Sequence, residues 1–279
     1  MKSSIKTLRV KDQGEGVTEI RLGTTLTRVS RLPVMCYLVG DILIDTGFFH
    51  VRDALDRYLS QRKPATILLT HHHEDHAGNA GVLAWTHDCP VYLRNPGSRF
   101  GEGMASLNRY RRVWWGAPEP YEPLEMPEEI SSGKHRIRSI PIPGHSTTHT
   151  AFFDETSGYV FVGDLFVTGG VTAVMSHENP FESAGSLRRV AALSPTRMFT
   201  GHRKAMNRPA AALIDKAEKI EAAAKRVITL HREGMGNRRI LHQVFRDGYL
   251  KDQFMAALTG GEFSRACFIR ACIRHAENY

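Results

Sequence analysis

The run Thr70-His71-His72-His73-Glu74-Asp75-His76 constrains this chain more than any other stretch. His71, His73, Asp75 and His76 pack four good metal ligands into six residues. The preceding segment, Ala65-Thr66-Ile67-Leu68-Leu69, is short, apolar and partly β-branched, so it reads as a buried strand. Ligands that follow a buried strand stand on a rigid support at its C-terminal end, where α/β proteins bind their ligands. In an extended segment His71 and His73 point to one side and His72 to the other. Asp75 and His76 come as the chain turns, and Gly78 is expected to ease that turn. Imidazole with carboxylate suits Zn²⁺, Mn²⁺ or Fe²⁺. The cluster contains no thiolate, which argues against a closed structural zinc site. A polyhistidine tag remnant would be terminal and would not follow a strand.

The same pattern recurs three times further along. Pro143-Gly144-His145-Ser146-Thr147-Thr148-His149 follows the alternating segment Ile137 to Ile142. Tyr159-Val160-Phe161-Val162-Gly163-Asp164 is a strand-like run ending in a carboxylate, and Met198-Phe199-Thr200-Gly201-His202 is another ending in a histidine. Polar residues that each terminate an apolar run are what a site at one edge of two sheets needs.

With these residues in view, the chain resembles the metallo-β-lactamase fold superfamily of dinuclear metal hydrolases. The resemblance rests on H-x-H-x-D-H, then a lone His, an Asp and a final His: His71, His73, Asp75, His76, His145, Asp164 and His202, in the expected order. Leu43-Ile44-Asp45-Thr46-Gly47 is similar to the family's early strand and Asp-x-Gly turn, and the likeness spans roughly residues 20 to 205. It implies an α/β fold, an αββα sandwich of two mixed sheets with metals at one rim. It also implies a first ion on His71, His73 and His145, and a second on Asp75, His76 and His202. Asp164 would bridge the two ions, with water or hydroxide between them. Two divalent ions, zinc first and iron or manganese as alternatives, are therefore the expected cofactors. The bridging hydroxide would attack a carbonyl or phosphoryl centre without a Ser or Cys nucleophile. Asp75 could take the proton as the tetrahedral intermediate collapses. The Asp45 carboxylate could orient a ligand histidine from behind, or simply fix its turn. Of the remaining histidines, His149 reads as a packed residue at a strand start, and His177 as a residue of the pocket rim.

Length and charge fit this reading. A chain of 279 residues, 42% of them hydrophobic, can bury a sizeable core. The expected division is a catalytic domain over residues 1–205 and a helical extension over 206–279. The N-terminal residues Met1 to Lys6 show no apolar leader, and no segment has the length of a membrane span. Cys36, Cys89, Cys267 and Cys272 show no disulfide or zinc-ribbon spacing. A reduced, cytoplasmic protein without a membrane partner is the expectation. Its oligomeric state is open, a homodimer being one option. Residues 203–279 carry 15 Lys and Arg against 8 Asp and Glu, while the first 202 carry 22 against 21. The basic excess belongs to the C-terminal part, where it would attract an anionic partner or simply cover a solvated helix surface.

That part reads as one long helix from Pro209 to Glu233, with Pro near its start and Gly234 past its end. Shorter helices are expected over 236–246, 252–258 and 264–276. Between the first histidine cluster and His145, the stretch Asn95 to Met126 holds Arg109-Tyr110-Arg111-Arg112-Val113-Trp114-Trp115-Gly116. It is a candidate substrate loop, with Trp114 and Trp115 gripping a substrate or packing the loop onto the body. The segment Leu165-Phe166-Val167-Thr168-Gly169-Gly170 resembles glyoxalase II-like thioesterases. Lactonases of this fold usually place a Tyr where Val167 stands. A thioester or other carboxylic ester is therefore the leading small-molecule substrate. A metal-dependent endoribonuclease or phosphodiesterase, with nucleic acid on the basic segment, is the first alternative. A lactonase or a non-enzymatic binding protein comes after it.

Overall fold

The computed structural model describes residues 6–98, 107–245 and 249–276. Part of the Asn95 to Met126 stretch, residues 99–106, lies outside the described residues, as do Met1 to Ile5 of the amino-terminal segment and the end of the 236–246 helix at Arg246. The chain divides into two compact units.

The first unit comprises Met1–Pro141, Thr148–Val167 and Thr196–Asn207. It holds two mixed sheets. The first runs in the order β1 (Thr7–Asp12), β2 (Val17–Gly23), β3 (Val34–Val39), β4 (Ile42–Ile44), β5 (Thr66–Leu68), β6 (Val91–Leu93) and β7 (Leu124–Glu125). The strands from β1 to β4 pair antiparallel; β4 to β7 pair parallel. In the second sheet, β8 (Glu129–Ser132), β9 (His135–Pro141), β10 (Thr150–Asp154) and β11 (Tyr159–Phe161) form an antiparallel meander. There β11 pairs parallel with β13 (Arg197–Phe199), and β14 (Met206–Asn207) closes the edge. The helices of this unit are α1 (Thr25–Val29), α2 (Arg52–Leu59), α3 (Ala80–His87) and α4 (Arg109–Trp115).

Why the sheets stack is legible in the strand faces. β3 reads Val-Met-Cys-Tyr-Leu-Val and is buried on both faces. Met35, Tyr37 and Val39 join Ile42, Ile44 and Leu68 against Ile137, Phe152, Phe161 and Phe199 of the other sheet. Phe161 and Phe199 stack at 4.9 Å, and Tyr37 meets both rings edge-on or tilted at 5.2 and 5.3 Å. The opposite residues of β3, Val34, Cys36 and Leu38, join Leu43 and Ile67 with Leu55 and Leu59 of α2 and Leu83 of α3. One sheet therefore faces its partner on one side and helices on the other. β1 lies at the edge and is mostly exposed.

The second unit comprises Ile142–Thr147, Thr168–Pro195 and Arg208–Tyr279. Its elements are β12 (Val174–Met175), α5 (Pro180–Ala192), α6 (Ala210–Arg232), α7 (Asn237–Val244), α8 (Tyr249–Leu258), β15 (Phe263–Ser264) and α9 (Arg265–His275). β12 and β15 form a small antiparallel pair. The long helix α6 buries Leu213, Ala217, Ile220, Ala224 and Val227 at helical spacing. It packs along α5 and against α9. Cys267 and Cys272 are buried on α9, and Gly260 and Gly261 take left-handed conformations before β15. This unit takes in α5 and the 142–147 segment as well as the C-terminal helices.

The stacked core sets a stability contrast. Phe199→Ala, at a fully buried ring, is expected to cost about 3–5 kcal/mol. Trp85→Ala, at a ring 89% exposed on α3, should stay within about 0.5 kcal/mol of wild type. Denaturant midpoints at unchanged slope check both; a Phe199→Ala cost near zero would contradict the packing described.

Candidate metal centre

The expected ligands of the first unit converge where β4, β5, β11 and β13 end. β5 stops at Leu68 and the chain turns through 69–79 into α3. His76 and Ala77 donate their amides to the His73 carbonyl, closing the turn that carries Asp75 and His76. Gly78 serves this turn by close approach, not by an unusual backbone angle. A Cβ there would strike the Glu74 carbonyl and lie 2.8 Å from Phe48 Cα. Asp164 follows β11, and His202 follows β13.

Asp75, His76, Asp164 and His202 offer ligand atoms within 4.8 Å of one another. His202 Nε2 lies 3.2 Å from Asp75 Oδ2 and 3.4 Å from Asp164 Oδ1. His76 Nε2 lies 3.3 Å from the same Asp164 oxygen. Beside them, His71 Nε2 stands 3.0 Å from His73 Nδ1. Asp164 Oδ1 thus faces both His76 and His202, a central position for a shared carboxylate. Gly201 is required by proximity, since a Cβ there would collide with His76 Cε1 and reach 2.8 Å from Asp164 Oδ1.

The far nitrogens of these rings are tied down. Asp45, buried and with φ at +59°, accepts from His76 Nδ1 at 2.8 Å. The same carboxylate accepts the Thr70 amide at 2.8 Å and the Thr70 hydroxyl. Asp45 therefore orients the His76 ring and ties it to the end of β5. Thr70 Oγ1 in turn lies 3.0 Å from His71 Nδ1. His202 Nδ1 donates to the Pro33 carbonyl at 2.9 Å. Tyr37 Oη donates to the Thr200 carbonyl at 2.7 Å, bracing the loop before His202. His71, His76 and His202 consequently present Nε2 to the centre, whereas His73 presents Nδ1.

His72 turns away, as expected, and bonds to the Thr148 hydroxyl at 2.9 Å. His149 is fully buried just before β10, its ring 4.9 Å from that of His71. Trp115 is buried against Phe48 at 5.1 Å and stands 6.4 Å from the His202 ring. Trp114 is partly buried against the same cluster. His145 and His177 belong to the second unit. His145 Nδ1 lies 3.2 Å from Glu178 Oε2, and Glu178 Oε1 accepts the Met175 amide at 2.7 Å. His177 is exposed in the turn between β12 and α5. Sequence reading passed over Glu178, 33 positions from its histidine, and the Glu74–Arg111 pair, because neither has a spacing signature.

Burial and charge make this a cation site. Burial alone would keep His202 neutral; the Asp164 and Asp75 carboxylates outweigh it and push its pKa up to about 10. Burial opposes protonation of His76 too, yet Asp164, Asp45 and Asp75 raise its pKa well above the ordinary imidazole value. Burial would raise the Asp164 and Asp75 carboxyls; His202 and His76 hold both below the usual carboxylate range. The metal-free centre thus draws protons to balance its carboxylates. Divalent cations can replace those protons, and the donors are imidazole and carboxylate, which suit zinc, iron or manganese. The residues fit such ions.

The sequence signature of the metallo-beta-lactamase superfamily matches residues 29–202, more than half of the chain, and the protein belongs to that superfamily. It is a superfamily of metallo-hydrolases that typically bind two metal ions. The α/β fold of stacked sheets and flanking helices expected from the sequence is the fold of its structural neighbours. The chain is 32% identical over 188 residues to a beta-lactamase-like protein 2 homolog of Drosophila melanogaster, covering 62% of this chain and 59% of that one. It is 30% identical over 132 residues to a hydroxyacylglutathione hydrolase of Bdellovibrio bacteriovorus, covering 47% and 45%. The match thus spans about half the length of these two relatives. Among solved structures, a beta-lactamase domain protein from Burkholderia ambifaria superposes with a TM-score of 0.71 at 19% identity, covering 96% of this chain and 88% of that one. TTHA1623, solved in a di-iron-bound form, has a TM-score of 0.52 at 27% identity over 73% and 96%. Among the described residues, no helix is long and apolar enough to cross a membrane.

Two outcomes follow from the site's charge. His202 has a folded pKa near 10 against an ordinary value of about 6.5. Its stabilisation of the metal-free protein is full below about pH 6.5 and is lost as pH rises through about 10. Metal binding gains over the same range, as protons cease to compete. The difference in Tm between Zn²⁺-loaded and chelator-stripped protein should therefore widen from pH 6 to pH 9; a difference that narrows would contradict the charge balance. Separately, Asp45→Asn replaces the charged acceptor of His76 Nδ1 and should weaken metal binding about 10- to 100-fold. Competition with a chelating dye measures it, and an unchanged affinity would remove Asp45 from the site.

Proposed function

We propose that this protein is a dinuclear metal-dependent hydrolase of a thioester or other carboxylic ester. The observation that carries the proposal is the convergence of Asp75, His76, Asp164 and His202, with Asp164 Oδ1 facing both histidines. One ion would be held by His71, His73 and His145, the last assigned by its order in the motif. The other would be held by Asp75, His76 and His202, with Asp164 shared. When bound, such ions polarise the scissile carbonyl and lower the pKa of water. Zinc is the first candidate; the di-iron form of TTHA1623 supports iron as an alternative.

The chain's own groups orient and move protons. Asp45 keeps His76 in the tautomer that presents Nε2, and the Pro33 carbonyl does the same for His202. Asp75 directs Oδ2 toward His202, so Oδ1 is the oxygen assigned to take the proton of the attacking hydroxyl and pass it to the departing thiolate or alkoxide as the C–S or C–O bond breaks. Trp115 stands as an apolar wall 6.4 Å from the His202 ring. Trp114 and His177 are assigned to the substrate side. The ester or thioester class is supported by the hydroxyacylglutathione hydrolases among the relatives. The small-molecule partner and a cytoplasmic setting belong to this proposal. Nucleic acid, drawn to the basic residues after 202, is its rival.

The test is a panel of acyl thioesters, lactones, phosphodiesters and RNA, run with metal analysis of the purified protein. Two ions per chain and thioester turnover lost in both His73→Ala and Asp164→Asn are expected. Asp164→Asn should fold normally while activity falls by a factor of about 10² or more, since it removes a charge that both ions share. Metal-dependent RNA cleavage with no thioester turnover would replace this reading with the nuclease.

A further inference from the structure

Between His73 and Asp75 stands Glu74, 3% exposed. Its carboxylate takes a bidentate grip on Arg111 of α4, with Nε to Oε1 at 2.5 Å and Nη2 to Oε2 at 2.6 Å. Arg111 is itself buried, at 9% exposure. Planar, two-point pairing fixes direction as well as distance. On α4, Trp115 follows Arg111 by four residues and lies on the same helix face. That ring packs on Phe48 and stands beside His202. Ties of this segment to the first helices also run through backbone and surface groups. His50 Nε2 meets the Val113 carbonyl at 3.2 Å, and Arg52 pairs with Glu119 at 2.9 Å.

A buried ion pair is a poor way to gain stability. Apolar residues of similar volume in its place are often neutral or stabilising, whereas removing one partner strands a charge. What the pair supplies is orientation. Burial and the two-point pairing hold the Glu74 carboxylate in one orientation beside His73 and Asp75. The same pairing ties the Arg111 side chain, and through it α4 with Trp115, to the ligand loop.

We propose that Glu74 and Arg111 are positioning residues that couple α4 to the ligand loop, so that filling the metal centre and placing Trp115 beside His202 are one event. The coupling rests on the metal-centre part of the proposed function and is independent of the thioester assignment. Linkage then requires that metal order α4 and that a well-placed α4 favour metal.

Hydrogen exchange on the full chain, stripped by chelator or loaded with Zn²⁺, tests this without any substrate. In wild type, Zn²⁺ should slow exchange of the 109–116 amides about tenfold, along with those of 71–79. In the double variant Glu74→Met, Arg111→Met, which leaves no stranded charge, Zn²⁺ should still slow 71–79 but leave 109–116 unchanged. Arg111→Lys keeps the charge but loses the two-point geometry, and should show most of the same uncoupling with metal stoichiometry intact. It serves as the deciding variant if the double variant does not fold. Zn²⁺ protection of 109–116 that persists in these variants would overturn the proposal. So would its absence in wild type that binds metal. Failure of the thioester panel would leave this exchange result standing, and failure of wild type to bind Zn²⁺ would overturn both.

Discussion

Two carboxylates from distant parts of the chain, Asp75 and Asp164, meet the same imidazole nitrogen of His202 at 3.2 and 3.4 Å. Like charges this close and this buried repel strongly unless protons or cations lie between them. The surrounding architecture supplies the restraint that holds them. The turns after β4 and β5 are tied together by Thr46, whose amide and hydroxyl both donate to the His76 carbonyl at 2.7 and 2.9 Å. Asn79 reaches back to the Thr46 and Phe48 carbonyls. The Gly201 amide donates to the Gly163 carbonyl, locking the Asp164 and His202 turns side by side. Each link is short and buried, so the carboxylates cannot relax apart without unzipping strand ends that the stacked core anchors.

The residues of the candidate centre were legible in the sequence for the same physical reason. A polar residue that ends a buried strand has few roles other than a site, and four apolar runs ended that way. His71, His73, Asp75, His76, Asp164 and His202 therefore announced their positions, and the long helix α6 announced itself through Leu213, Ala217, Ile220 and Ala224. The supporting groups did not. Glu74 occupies a variable position of the motif, and its partner Arg111 sits in a stretch read for its tryptophans. Glu178 sits beside the more conspicuous His177, and the folded turn between β12 and α5 shows its carboxylate reaching His145. Asp45 was visible in its Asp-x-Gly turn, but not its left-handed backbone, which a sequence pattern does not encode. Two-residue strands such as β7 and β14 have no periodicity to read, because they exist only by pairing with an established neighbour.

Trp115 shows how one residue can satisfy two readings. Its loop position suggested either a substrate contact or packing, and the ring is buried among Phe48 and its neighbours while also standing beside His202. A wall that is part of the core is stiff. Residues on such a wall define a shape more sharply than residues on a mobile rim.

The ring supports differ in kind, and the difference has a consequence for the metals. His76 Nδ1 donates to a carboxylate, His202 Nδ1 to a peptide carbonyl, and His71 Nδ1 meets a hydroxyl that is itself committed to Asp45. A charged acceptor raises the basicity of the opposite nitrogen more than a neutral one does. His76 is thereby the strongest imidazole donor of the three, and it shares its side of the centre with both Asp75 and Asp164. Asp45, Asp75 and Asp164 make the side around His76 hard and negative. A divalent cation offered to this centre would therefore be drawn first to the side around His76, where the carboxylates gather.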